Sequence, residues 1–101
     1  MKQYRPVSAN ATTTSMSCVG PFYTVPAGRT AKLTYVYITY TDGYLKINND
    51  EVSSLGTIIT QTNIQNVATY NIYLKEGDSL YFYATGSNSI FVSLIEEYEA
   101  W

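Results

Sequence analysis

Turn-forming residues recur along the chain at short intervals, and this spacing constrains the fold more than any other feature. The turn signals are Pro26-Ala27-Gly28, Asp42-Gly43, Asn49-Asp50, Glu76-Gly77-Asp78 and Gly86-Ser87-Asn88. Strands about 8 to 12 residues apart with turns between them are typical of a sandwich or a barrel. The β-favouring residues Tyr, Val, Ile and Thr make up 39 of the 101 residues, and no segment shows a helical apolar stripe of useful length. The sequence therefore predicts an all-β protein, a single antiparallel β-sandwich, and favours a jelly roll of seven or eight strands.

The longest predicted strand, Thr30–Thr41, contains a break in its alternation. Ala31 and Leu33 share one parity, whereas Val36 and Ile38 share the other. Strict alternation would place the two pairs on opposite faces, so a β-bulge near Thr34-Tyr35 is needed to return all four to one core. The Asp42-Gly43 pair that follows is a strong hairpin signal. It predicts that residues 44–48 return as the partner strand.

The later strands are regular enough to assign inner and outer faces. One parity is apolar and should line the core: Tyr70, Ile72, Leu74, Leu80, Phe82, Ala84, Ile90, Val92 and Leu94. The outward positions are then Tyr73, Tyr81, Tyr83 and Phe91. Aromatic side chains on an outer sheet face indicate a contact surface, because tyrosine buries its ring and keeps its hydroxyl hydrated. We predict an interface between subunits at these four residues, with cover by a loop of the same chain as the alternative.

Residues 1–20 differ from the sandwich domain predicted over residues 21–101. They are rich in Ser, Thr, Ala and Asn and show no strand or helix period. We interpret this segment as an extended N-terminal arm that lies on another chain, with a strand of its own sheet as the alternative. Lys2 and Arg5 would then contact carboxylates of the neighbour. Glu96, Glu97 and Glu99 are expected to be solvated or paired with such a basic arm.

Four tyrosines surround the predicted first hairpin, and they allow a second interpretation. Tyr35, Tyr37, Tyr40 and Tyr44 could stack on sugar rings, which would make the domain a carbohydrate-binding module. Aromatic packing between neighbouring strands is the commoner use of such residues. Both interpretations remain open at the level of sequence.

Composition disfavours catalytic and metal chemistry. The chain has no histidine and one cysteine, Cys18, so a histidine base, a histidine-ligated zinc and an internal disulfide are all absent. Asp42, Asp50 and Glu51 lie in turns and do not match the ligand order of a calcium loop. We predict no enzyme activity, no metal and no cofactor. The net charge of −2 does not favour nucleic acid, and we expect no signal peptide and no membrane span.

Three segments resemble the small β-sandwich proteins of tailed-phage virions. Residues 23–33, YTVPAGRTAKL, resemble their opening strand and turn. Residues 74–81, LKEGDSLY, resemble their Gly-Asp turn between aliphatic positions, and residues 90–98, IFVSLIEEY, are similar to their last strand. The resemblance covers residues 22–98 in outline. Because its motifs are turn chemistry, they also occur in jelly rolls outside viruses.

This resemblance implies a structural protein of the virion, made in the host cytoplasm, and brings no catalytic residues with it. The first expectation is a capsid decoration (cement) protein that forms a homotrimer or a similar ring. Its partners would be copies of itself and the major capsid protein or another virion protein. The alternatives are a tail fibre or spike protein that binds a host receptor, and a carbohydrate-binding module.

Overall fold

A computed structural model describes residues 1–60 and 72–100, which form eight β-strands and two sheets. The strands are β1 (Lys2–Thr13), β2 (Ser17–Thr24), β3 (Arg29–Ile38), β4 (Gly43–Ile47), β5 (Thr57–Thr60), β6 (Ile72–Leu74), β7 (Ser79–Ala84) and β8 (Asn88–Glu99). These residues include no helix that is long and apolar enough to cross a membrane.

The strand order is that of a jelly roll. The first sheet has the order β1-β8-β3-β6 and the second β2-β7-β4-β5, with every pairing antiparallel. The pairs β1–β8, β2–β7, β3–β6 and β4–β5 together form one long ribbon. When the ribbon rolls up, β3 also pairs with β8, and β4 with β7, which closes two packed sheets. The predicted all-β sandwich of seven or eight strands is confirmed, and the described residues form eight.

The prediction of a hairpin at Asp42-Gly43 is wrong. β3 belongs to the first sheet and β4 to the second, so the segment between them crosses from one sheet to the other. β4 pairs instead with β5 and β7. In this topology consecutive strands change sheets at every turn except the β4–β5 connection, so local turn chemistry does not identify pairing partners.

The predicted bulge in β3 is confirmed. The register with β8 shifts between Leu33, which is opposite Leu94, and Tyr35, which is opposite Ser93. Thr34 is the extra residue, and its hydroxyl donates to the Ser93 carbonyl at 3.1 Å. As a result Ala31, Leu33 and Ile38 are buried and Val36 packs against the same core, while the tyrosines between them face outward.

The core lies between the sheets and agrees with the predicted parity. Its buried residues include Leu74, Leu80, Phe82, Ala84, Ile90, Val92 and Leu94, and Ile72 packs against it. Tyr70, the remaining member of that set, lies outside the described residues. Burying these side chains supplies the main favourable term for folding.

The prediction that residues 1–20 form an extended arm on another chain is wrong, because most of this segment is a strand of its own sheet, which was the alternative. β1 pairs with β8 along its whole length, from Lys2 opposite Glu99 to Thr13 opposite Asn88. Ala9 and Ala11 pack on the core, and Thr13 is buried. The Ala100 amide donates to the Met1 carbonyl, so the odd-numbered positions of β1 form the hydrogen-bonded pairs with β8. The nitrogen of Pro6, at an even-numbered position, therefore points away from β8. An edge strand tolerates a proline there, because no ladder bond is lost.

Candidate interaction surface

The outer face of the first sheet carries a concentration of exposed aromatic and aliphatic side chains. Tyr4 and Tyr73 are 63% and 70% exposed, and Phe91 and Ile95 are also exposed. Tyr35 and Tyr37 are half-buried beside them. All four strands contribute, because the alternation of β1, β8 and β6 and the bulge of β3 aim these residues to the same side. Solvated sheet faces ordinarily carry polar residues, so this face has the composition of a contact surface.

Two contacts organise this face. Tyr37 and Phe91 are opposite each other on β3 and β8, with ring centroids 6.2 Å apart. Lys32 Nζ lies 5.8 Å from the centroid of the Tyr73 ring, within the range of a cation–π contact. The aromatic pair and the Lys32–Tyr73 contact occupy different ends of the face, since Lys32 is opposite Ile95.

A groove of about 310 Å³ crosses the Tyr73 end of this face. Its walls are Tyr4 on the edge strand β1 and Tyr73 on the edge strand β6. Between them lie Thr30, Ala31, Lys32, Ile95 and Glu97. The groove therefore combines two exposed rings with a hydroxyl, an ammonium and a carboxylate.

Lys2 is paired within its own chain, which corrects the prediction that it meets a neighbour. Its Nζ lies 2.7 Å from Glu97 Oε1, and this hydrogen bond is the main cause that raises the pKa of Lys2. The Met1 ammonium likewise lies 3.2 Å from Glu99 Oε2. The basic end and the acidic run thus do pair, but across β1 and β8. Arg5 is exposed opposite Glu96 and contributes to lowering that carboxyl's pKa.

Tyr81 and Tyr83 face outward as predicted, but on the second sheet, so the four aromatics do not form one patch. Tyr83 is only 8% exposed, because Tyr44 stacks on it with the ring centroids 5.4 Å apart. Tyr81 is half-buried opposite Lys46. For Tyr83, the structure supports the alternative prediction, in which residues of the same chain cover the ring.

Lys46 contributes to covering the outer face of the second sheet around Tyr83, and the sequence did not indicate this role. It is fully buried, and its Nζ donates to the Glu51 and Ser53 carbonyls. The ammonium thereby holds the segment between β4 and β5 over the outer face of the second sheet. Cys18 Sγ lies 3.9 Å from the Asn49 carbonyl of the same segment, and burial raises the pKa of its thiol. Cys18 is thus a poor nucleophile, consistent with a structural thiol.

The four tyrosines proposed for sugar stacking do not form one platform, so that set is wrong. Tyr35 and Tyr37 lie on the outer face of the first sheet, whereas Tyr44 lies on that of the second. Tyr40 is in the turn between β3 and β4, with its ring exposed. The separation follows from the sheet change at this turn.

A buried polar cluster closes one end of the sandwich, and Glu96 is its centre. Glu96 is 3% exposed, and its carboxylate accepts from the Tyr23 hydroxyl and from Arg29 Nη1, each at 2.7 Å. Arg29 also stacks on Tyr98, with its Cζ 4.1 Å from the ring centroid. Since Tyr23 belongs to β2 and Glu96 to β8, the cluster joins the two sheets. The expectation that Glu96 is solvated is wrong. Its parity with Val92 and Leu94 could have identified it as inward-facing.

Glu96 makes the stability of the sandwich depend on pH. Burial favours the neutral acid, but the hydrogen bonds from Tyr23 and Arg29 outweigh it and lower the pKa of Glu96 below its ordinary 4.5. A lowered folded-state pKa stabilises the protein above the unfolded-state pKa, and this stabilisation is lost as pH falls through the folded-state pKa.

We therefore expect Glu96→Gln to reduce the free energy of unfolding by about 1–3 kcal/mol at pH 7. A neutral amide with one acceptor oxygen replaces a charged carboxylate whose two oxygens accept from Tyr23 and Arg29. Below pH 4.5 the difference from the unsubstituted protein should shrink. Urea unfolding at pH 7 and at pH 3 measures both. Asp78, whose pKa is also lowered, remains in the variant and supplies the residual pH dependence. A difference that stays constant over this range would contradict the assignment.

Within residues 1–60 and 72–100, no three cysteine or acidic side chains are grouped so that they could hold a metal ion. No protein family, curated protein or solved structure matched this chain in our comparisons.

Proposed function

We propose that this chain is a structural protein of a tailed-phage virion that decorates the capsid and works by contact rather than by catalysis. The observation that carries the proposal is the concentration of exposed aromatic and aliphatic side chains on the outer face of the first sheet. Exposed apolar patches of this kind mark protein contact surfaces. The jelly-roll strand order adds support, because this fold is common among viral capsid domains.

The contact with another copy is assigned to the end of the face that holds Phe91 and Tyr37. Phe91 is exposed although its ring already packs against Tyr37, so a partner would bury a preorganised aromatic pair. Aromatic anchors of this type supply much of the binding energy in protein interfaces. We propose a trimer or a similar ring, which then binds the major capsid protein or another virion protein.

Phe91→Lys is expected to shift this assembly towards the monomer. The substitution places a charge where a ring would be buried, and loss of one interface anchor costs 2 kcal/mol or more, which is at least tenfold in affinity. Size-exclusion chromatography with light scattering measures the mass, and thermal unfolding checks that the sandwich is intact.

Tyr40→Lys is the matched control, because Tyr40 is an exposed aromatic residue outside this face. We expect it to keep the oligomeric mass. A monomeric unsubstituted protein, or a Phe91→Lys variant of unchanged mass, would contradict the assigned interface. Sedimentation with purified capsids then tests attachment, and binding to tails but not to capsids would instead favour the tail fibre or spike alternative.

A further inference from the structure

We propose that the groove between Tyr4 and Tyr73 is a glycan-binding site that takes a short oligosaccharide. This inference goes beyond the proposed virion role and does not depend on it. It uses a different part of the first sheet from the Phe91–Tyr37 pair, and different residues from the four tyrosines that the sequence indicated.

The two walls of the groove are suited to stacking. Tyr4 and Tyr73 are among the most exposed aromatic side chains of the described residues, so their rings are open to a ligand. A pyranose ring has apolar C–H groups on its faces, and these pack on an aromatic ring much as another apolar surface does. The two tyrosines therefore provide two separate platforms.

The spacing of the walls indicates more than one sugar ring. Tyr4 and Tyr73 lie on the two edge strands of a four-stranded sheet, so their backbones are three strand spacings, or about 14 Å, apart. The groove that their side chains line extends across all four strands, which suits more than one sugar ring. A short chain of linked rings can lie across the strands and reach both.

The floor of the groove offers hydrogen-bonding groups of both kinds. Glu97 accepts from Lys2 through Oε1, and its second carboxylate oxygen, Oε2, is the acceptor we assign to sugar hydroxyls. Lys32 Nζ is a donor that is already held near the Tyr73 ring. The Thr30 hydroxyl, on an exposed residue, can donate or accept. Ile95 lies between these groups and packs against the apolar side of the ligand.

This mixture favours a glycan over a second copy of the chain as the occupant. An interface core between proteins is depleted in charged residues. In this groove, by contrast, an ammonium and a carboxylate lie between the rings. Alternating apolar and polar contacts over a short distance match the alternating C–H and O–H groups of a saccharide.

The experiment uses the full chain on an array of neutral and carboxylated oligosaccharides, followed by calorimetric titration with the best-bound oligosaccharide. We expect Tyr4→Ala and Tyr73→Ala each to weaken that binding at least tenfold. Tyr40→Ala, which removes an exposed tyrosine outside the groove, should bind like the unsubstituted protein. Thermal unfolding of each variant shows that the sandwich is retained, and amide shifts at Thr30, Lys32 and Ile95 on titration locate the ligand.

Several outcomes would overturn the proposal. These are an array with no bound oligosaccharide, binding that survives both groove substitutions, and equal loss in Tyr40→Ala. A change in oligomeric mass in Tyr4→Ala or Tyr73→Ala would assign the groove to a contact between copies instead. The virion role is tested separately, because Phe91→Lys should lower the oligomeric mass and leave the affinity for the oligosaccharide unchanged.

Discussion

Deleting residues 2–13 is expected to abolish cooperative folding of the domain. The deletion removes β1 and with it twelve paired positions on β8. It also uncovers the side of the core where Ala9 and Ala11 pack and where Thr13 is buried. The total free energy of unfolding of such a domain is about 5–15 kcal/mol. We expect the loss of one of eight strands to remove all of it. Far-ultraviolet circular dichroism with thermal unfolding measures the result.

The matched control keeps the strand and changes only its outer face. Tyr4→Thr retains the β1 backbone and replaces an exposed ring, so its unfolding midpoint should stay within a few degrees of the unsubstituted protein. A deletion variant that still unfolds cooperatively would show that residues 2–13 are a detachable arm, as their composition suggested.

Gly43→Ala is expected to lower the free energy of unfolding by about 3 kcal/mol, because it overpacks the core where β4 begins. A Cβ at this position would clash with the Ile38 Cγ2 methyl and would lie 2.9 Å from both Phe82 Cε1 and Asn88 Nδ2. Ile38 and Phe82 are buried core residues. For a domain of this size the unfolding midpoint should fall by roughly 10–20 °C.

Asn88 cannot move aside to relieve this contact. Its Nδ2 donates to the Tyr40 carbonyl at 3.1 Å and to Asp42 Oδ1 at 2.6 Å, and its Oδ1 accepts from the Tyr40 amide at 3.0 Å. These bonds fix the turn between β3 and β4. Shifting Asn88 would leave buried polar groups without partners, which itself costs about 1–3 kcal/mol.

Gly86→Ala is the control for Gly43→Ala, since a Cβ at Gly86 would meet only Asp42 Oδ2, at an ordinary 3.6 Å. We expect its free energy of unfolding to change by less than about 1 kcal/mol, in line with an unstrained surface substitution. Equal midpoints for the two alanine variants would show that the space beside Gly43 is not limiting.

The sequence predicted β3, β4, β7 and β8 and their inner faces, because alternation is a local signal, but it did not predict β1. The bulge at Thr34 was predictable for the same reason, since four apolar residues needed one core. The pairing partners were not predictable from turns. Asp42-Gly43 carries the chemistry of a hairpin, yet Gly43 is required by the approach of Ile38 and Phe82 rather than by a tight turn. Only the rolled topology brings those side chains together.

The surface was predicted in part for a similar reason. Parity placed Tyr73, Tyr81, Tyr83 and Phe91 outward, but it could not say that β7 lies in one sheet and β6 and β8 in the other. Tyr4 was missed because the Ser- and Thr-rich composition of residues 1–20 concealed a strand whose paired positions on β8 lie 75 to 97 residues away in sequence. Non-local pairing of this kind leaves no short-range signal.

The measurement that tests the proposed virion role most directly is quantitative mass spectrometry of this chain against the major capsid protein, in virus particles purified from cells that make the chain. A capsid decoration protein should be present at a level comparable to the number of capsomers. The Phe91→Lys variant, which we expect to lose oligomeric mass, should also be released from capsids. Absence from the virion would contradict the proposal, and a copy number as low as that of the tail proteins would contradict the capsid location.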